Sequence, residues 1–251
     1  MKLSGVFRIA FLQDTAKNWQ HSGRSKSMHV TERLAHESGR DYALRIIKDN
    51  IISLELAPQS RVNDREIAAE LGLSRTPVRE ALLELAKVDI VQVYPQRGSI
   101  IAPIDYDIME EAYSIREILE CAVVERCCRM ATAEQLAPLE ENLKLQEFYL
   151  ENRAPDKLME LDNEFHKQLF IAANMPHVHS LMGNITIHFD RVRHLSYQTV
   201  KEVKTVSAHR AILNAVLERN AEKAVALMRK HLGNYTVEKD ELISRYPQYF
   251  K

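Results

Sequence analysis

Three histidines and one aspartate in the second half of the chain have the types and spacing to hold a divalent metal ion. Asp162 and His166 are four residues apart, so on a helix both side chains share one face. Leu158, Phe165, Leu169 and Phe170 lie on or beside that face, which therefore points toward a core. His209 and His231 fall in two later helical stretches, flanked by apolar positions such as Ile212, Leu213, Leu227 and Leu232. One carboxylate and three imidazoles converging from three helices make a divalent-metal site with room for exogenous ligands. Nitrogen-rich donors suit Zn²⁺ or Ni²⁺ best, and the carboxylate also tolerates Mn²⁺. Spacing alone leaves a second reading open. The chain has ten histidines, and a lone inward His is more often a hydrogen-bonded core residue than a ligand.

A second group has a different chemistry. Residues 63–85, NDREIAAELGLSRTPVREALLEL, read as two short helices joined by a tight turn. Asn63 is an N-cap, and Glu66 three residues later completes a capping-box pattern. Gly72 ends the first helix in the left-handed conformation. Ser74 caps the second helix, and Pro77 falls in its first turn, where a missing N–H costs little. Val78, Ala81, Leu82 and Leu85 give that helix one apolar side. Its other side offers Arg75, Thr76 and Arg79 near the N-terminal end, the part that a helix-turn-helix places in the DNA major groove.

The surrounding pattern says what must position these groups. The spacing predicts a helix from about residue 39, with Tyr42, Ala43, Ile46, Ile47, Ile51 and Ile52 in register. After residue 85, Val91 to Tyr94 and Ser99 to Ile101 flank a turn at residues 95–98 and read as a hairpin. Helix, helix-turn-helix and hairpin make a winged helix-turn-helix over residues 39–103. Residues 104–241 read helical throughout, near 106–131, 133–151, 155–174, 176–198, 202–219 and 221–241, and so form an all-α bundle. The fold class is therefore mainly α, with a small β hairpin as the wing. Residues 1–38 are polar and weakly patterned and are expected to be disordered or loosely packed, and residues 242–251 to form a tail. Met28, shortly before the first strong helical pattern, is a candidate translation start.

Composition bounds the partners. The 251 residues carry a net charge of −1, and residues 40–103 are balanced. DNA affinity must then come from the placement of a few Arg rather than from a basic excess. Cys121, Cys127 and Cys128 form no CxxC pair, which fits a reducing cytoplasm. No apolar run approaches the length of a membrane span.

The segment LSRTPVREAL at residues 73–82, with a hairpin ending in QRGSII, resembles the DNA-binding domain of GntR-family transcription regulators. IREILE (115–120), LDNEFHKQLF (161–170), AHRAIL (208–213) and MRKHL (228–232) resemble, in order, the FCD effector domain of the FadR-like branch. The resemblance implies that Arg65, Arg75 and Arg79 face DNA, with Arg as the bidentate reader of guanine. Ser74 and Thr76 would contact phosphates, and Arg97 and Gly98, at the wing tip, would reach the minor groove. It also implies that Asp162, His166, His209 and His231 are the metal ligands and that Arg116 grips a carboxylate effector. An Arg116–Glu120 pair on a solvated helix face competes with that last role. Ala208 departs from the family, which commonly has Glu there, so support around His209 is in doubt.

These readings converge on a ligand-responsive transcription regulator in the cytoplasm. Its helical domain forms a homodimer, a metal and Arg116 bind a small organic acid, and the winged domains fit a two-fold operator in double-stranded DNA. Repression relieved by ligand is the expected mode. A metal-dependent hydrolase or lyase is a second reading, though no general acid or base is evident near the motifs. A DNA-binding module with a purely structural His cluster is a third.

Overall fold

The computed structural model describes residues 28–94, 97–152, 155–197, 202–233 and 239–251. They form two compact units that divide between Ala102 and Pro103.

In the first unit, α1 (Gly39–Ile52) starts at Ser38, whose side chain accepts the Asp41 N–H, and buries Tyr42, Ala43, Ile46, Ile47 and Ile51. α2 (Asp64–Leu71) starts at Asn63, which accepts the Arg65 N–H. Gly72 closes it at φ 66°, and the Leu73 N–H then returns to the Ala68 carbonyl. α3 (Arg75–Ala86) buries Val78, Ala81, Leu82 and Leu85. Ser74 occupies its N-cap position in extended conformation, but its hydroxyl makes no capping bond. The expected cap there is thus positional only.

The hairpin forms from β2 (Val91–Tyr94) and β3 (Gly98–Ile101), with Val91 opposite Ile101 and Tyr94 opposite Gly98. Gly98 sits at φ 91°, where a side chain is disfavoured. Pro95 and Gln96 lie outside the described residues. A third strand, β1 (Arg61–Val62), pairs with the other edge of β3. Two residues are too few to show the alternation by which a strand is recognised.

The segment ahead of α1 is not loose where it is described. Met28 is buried and its N–H donates to Glu70 Oε1 at 2.9 Å. Asn50 exchanges two hydrogen bonds with the His29 backbone, and Arg45 ties down Glu37, Thr31 and the Glu32 carbonyl. Each anchor lies far off in sequence, and so leaves no local pattern. Residues 1–27 lie outside the described residues.

In the second unit, α4 (Tyr106–Met130) is capped by Asp105, and α5 (Ala133–Glu151) by a reciprocal Thr132–Gln135 box. α6 (Pro155–Ala172) ends before Asn174, which is left-handed at φ 57°. The stretch expected as one helix over 176–198 divides into α7 (Pro176–Ile185) and α8 (Ile187–Tyr197). The division falls in the β-branched run Ile185-Thr186-Ile187, where Thr186 closes the first helix. α9 (Glu202–Leu217) stops ahead of left-handed Arg219. The Arg219 guanidinium donates to the carbonyls of Cys127, Cys128 and Ala131 at the end of α4. α10 (Ala221–Gly233) follows.

The expected tail is also structured. α11 (Lys239–Arg245) leads to Phe250, which stacks on Tyr106 at 5.2 Å. Ile104 exchanges backbone hydrogen bonds with Tyr249 and Lys251, and Lys251 pairs with Asp105. The core of this unit includes Phe165, Leu169, Phe170, Ile212, Leu213, Val216, Met228 and Leu232, which flank the four metal-type residues in sequence.

Candidate functional site

The first unit presents its polar residues outward. Arg65, Ser74, Arg75, Thr76 and Arg79 are all exposed at the N-terminal ends of α2 and α3, while Arg97 and Gly98 are exposed at the hairpin turn. Arg75 Nη2 meets both carboxylate oxygens of Asp64 at 3.1 Å. Its side chain remains 65% exposed, so water screens the pair and it holds the arginine only weakly.

The second unit turns its polar residues inward. Asp162 and His166 come from α6, His209 from α9 and His231 from α10, and all four are buried. One donor atom from each lies within 4.8 Å of the others. His231 Nε2 is 3.2 Å from both His209 Nε2 and His166 Nε2. Asp162 Oδ1 stands 3.4 Å from His209 Nε2 and 3.9 Å from His166 Nε2. Phe165 stacks on His209 with ring centroids 4.1 Å apart and holds the imidazole from the apolar side.

The outer ring nitrogens fix which face of each imidazole is basic. His166 Nδ1 lies 2.5 Å from Glu120 Oε2, and His209 Nδ1 lies 2.9 Å from Gln146 Oε1. Both partners are acceptors, so each Nδ1 carries the proton and each Nε2 keeps its lone pair. Burial pushes His209 well below the usual imidazole range. Burial, with His166 beside it, takes His231 down to about 3. Burial thus favours the neutral form of His209 and His231.

The acids stay charged despite their burial. Burial acts to raise the Glu120 carboxyl, but Arg116 and His166 outweigh it and hold it well below the carboxylate range. Burial likewise opposes ionisation of Asp162, and Arg193 followed by the histidines reverses it. Arg193 Nη1 approaches Asp162 Oδ2 at 3.1 Å. Neither Asp162 oxygen accepts a hydrogen bond with good alignment among the described residues. A buried carboxylate in that condition, facing neutral nitrogen lone pairs, fits a cation. The donor set, one oxygen and three imidazole nitrogens, matches that expected of a divalent ion.

Arg116 makes the pair expected with Glu120, Nε to Oε1 at 2.5 Å, but the pair is buried rather than solvated. Through Glu120, Arg116 stands one residue from His166. Its guanidinium also lies 5.1 Å from the Phe189 ring centroid. Of the charged residues on α8, Arg193 reaches the site, whereas Arg191 bonds His188 and the Pro103 carbonyl. His194 meets Met159 Sδ.

Two supporting residues escape sequence reasoning. Glu120 is visible only as a helix neighbour of Arg116. Gln146 supplies the support that Ala208 put in doubt. Its one trace is a polar residue in step with the buried positions Leu139, Asn142 and Leu143 of α5.

Comparison with known proteins agrees with this division. The family described as "Bacterial regulatory proteins, gntR family" matches residues 42–101, and the FCD domain matches residues 111–234. The HTH-type transcriptional repressor RspR of Escherichia coli (strain K12) is 32% identical over 189 residues, 75% of this chain and 83% of the relative. An HTH-type transcriptional regulator in an unstable DNA locus of Streptomyces ambofaciens is 30% identical over 212 residues, 84% and 89% respectively. The solved structure of E. coli McbR/YncC superposes with a TM-score of 0.71 at 21% identity, over 84% of this chain and 99% of that one, and so shares the fold.

Proposed function

The chain belongs to the GntR family of bacterial regulatory proteins and carries an FCD domain, and from that we propose that a small carboxylate ligand, bound at a divalent-metal site, controls its operator binding. It is a DNA-binding transcription regulator and not a hydrolase or lyase, as its relatives are regulators. The observation that carries the proposal is the buried convergence of Asp162 Oδ1 with the Nε2 atoms of His166, His209 and His231.

Those four atoms hold the ion, with Zn²⁺ favoured and Ni²⁺ or Mn²⁺ admissible by donor type. When bound, the ion supplies open coordination positions for a ligand oxygen. Glu120 and Gln146 keep the lone pairs aimed inward. Arg116 offers its planar fork to the ligand carboxylate.

For the output, Arg75 and Arg79 read base edges and Arg65 lies beside them. Ser74 and Thr76 meet phosphates at the start of α3, and Arg97 and Gly98 enter the minor groove. The free Ser74 hydroxyl and the solvated Arg75 support this assignment. The protein works as a homodimer in the bacterial cytoplasm. Ile118 at 68% exposure and Leu181 at 74% are apolar side chains that a single chain leaves in water. Ligand shifts the dimer between two arrangements by binding one better than the other. The repressor RspR supports repression as the mode.

Stripping the protein with a chelator and titrating Zn²⁺ back tests the site. The melting temperature should fall and then recover. A melting curve indifferent to both steps would leave the His cluster as mere core.

A further inference from the structure

We propose that Asp64 is a positioning residue for sequence readout. It holds Arg75 toward a base edge, with guanine as the matching base, and disfavours contact of the same arginine with a phosphate. The proposal rests on the reading above that Arg75 faces DNA, and adds what decides between its two targets on the duplex.

Asp64 is the first residue of α2, and Asn63 fixes that turn by accepting the Arg65 N–H. Arg75 opens α3. The helix-turn-helix thus brings an acid and an arginine together at the starts of its two helices. Arg75 Nη2 lies 3.1 Å from both Asp64 oxygens. Its Nη1 and Nε donors bond no described residue and face solvent. The Asp64 side chain is 22% exposed, whereas that of Arg75 extends past it at 65%. Of Arg65, Arg75 and Arg79, Arg75 alone has an acid partner among the described residues.

An acid on a surface that meets DNA works against affinity, because it lies among phosphates. It contributes to specificity when the wrong complex suffers more than the right one. Breaking the pair itself costs little in water. A phosphate that drew Arg75 away would, however, leave the Asp64 carboxylate unpaired beside a polyanion. Guanine presents O6 and N7 to the outer donors while Nη2 stays on Asp64, so the acid keeps its partner. The held arginine also has less side-chain freedom left to lose on binding.

The test uses the full chain, a duplex that it selects from a random-sequence pool, and the same duplex with its sequence shuffled. Anisotropy titrations at several salt concentrations compare wild type with Asp64→Asn, Arg75→Ala and the double variant. Asp64→Asn should bind the shuffled duplex tighter and the selected one no tighter, so that the ratio of affinities falls about tenfold. On the shuffled duplex its salt slope should steepen by about one unit, the mark of one added phosphate contact. In the Arg75→Ala background Asp64→Asn should leave the ratio unchanged. Asp64→Glu, which keeps a carboxylate, should retain most of the wild-type ratio. An unchanged ratio in Asp64→Asn, or equal tightening on both duplexes, overturns the proposal and leaves base reading by Arg75 standing. A fall of the same size without Arg75, as a folding defect would also give, overturns action through that arginine. If Arg75→Ala itself keeps the wild-type ratio, base reading by Arg75 fails and this proposal fails with it.

Discussion

Arg75 in the winged unit and Arg116 in the helical unit each pair with a carboxylate, yet the two pairs differ in kind. The Arg75–Asp64 pair lies in water with its arginine 65% exposed. The Arg116–Glu120 pair is sealed inside a bundle and continues to His166. The first is cheap to exchange for a DNA phosphate or base edge. The second fixes the Glu120 carboxylate against both Arg116 and the His166 ring. One chain thus carries weakly held charged groups on the surface of its helix-turn-helix unit and a buried charged network inside its helical unit.

Removing Glu120 should show the contrast at its largest. Glu120→Ala leaves Arg116 buried without its acid, and chemical denaturation should report a loss of about 3–5 kcal/mol. Arg75→Ala should change stability by no more than about 0.5 kcal/mol, which the same measurement reads. A comparable loss in both variants would erase the distinction.

On DNA the order reverses. Arg75→Ala and Arg79→Ala should each cost about 1–3 kcal/mol of discrimination for the cognate operator, measured by fluorescence anisotropy. Unchanged operator binding by both would remove them from the reading face.

Acid should separate the units as well. His231 sits at about 3 in the folded protein, against a usual value of 6.5. The unfolded chain therefore binds the extra proton first, so this contribution is intact above pH 6.5 and is lost as pH falls toward about 3. Metal-free protein should melt at progressively lower temperature across that window, and far-UV dichroism follows it. His231→Gln should flatten the slope.

A further expected effect is local. Gly72→Ala meets no atom within 4 Å, so only its φ of 66° is strained. The cost should be about 1–2 kcal/mol of unfolding free energy.

The two units were also unequally legible. The helix-turn-helix reads from contiguous residues, because caps, turn glycine and apolar spacing all act within a few positions. The metal-type residues were found from helix spacing and family motifs, but their supports were not. Gln146 lies 63 residues from His209, and Glu120 lies 46 from His166. Nothing local ties such pairs together, since bundle packing alone brings them within reach. The anchors of residues 28–38 and the bridge from Ile104 to Phe250 were hidden for the same reason.

The central claim is that the buried site governs the exposed one. Operator affinity of the Zn²⁺-loaded protein, measured by anisotropy with and without succinate and repeated after chelation, tests it most directly. Succinate should weaken operator binding of the loaded protein and leave the chelated protein unaffected. Operator affinity that ignores both succinate and chelation, in protein shown to hold Zn²⁺, would contradict the account.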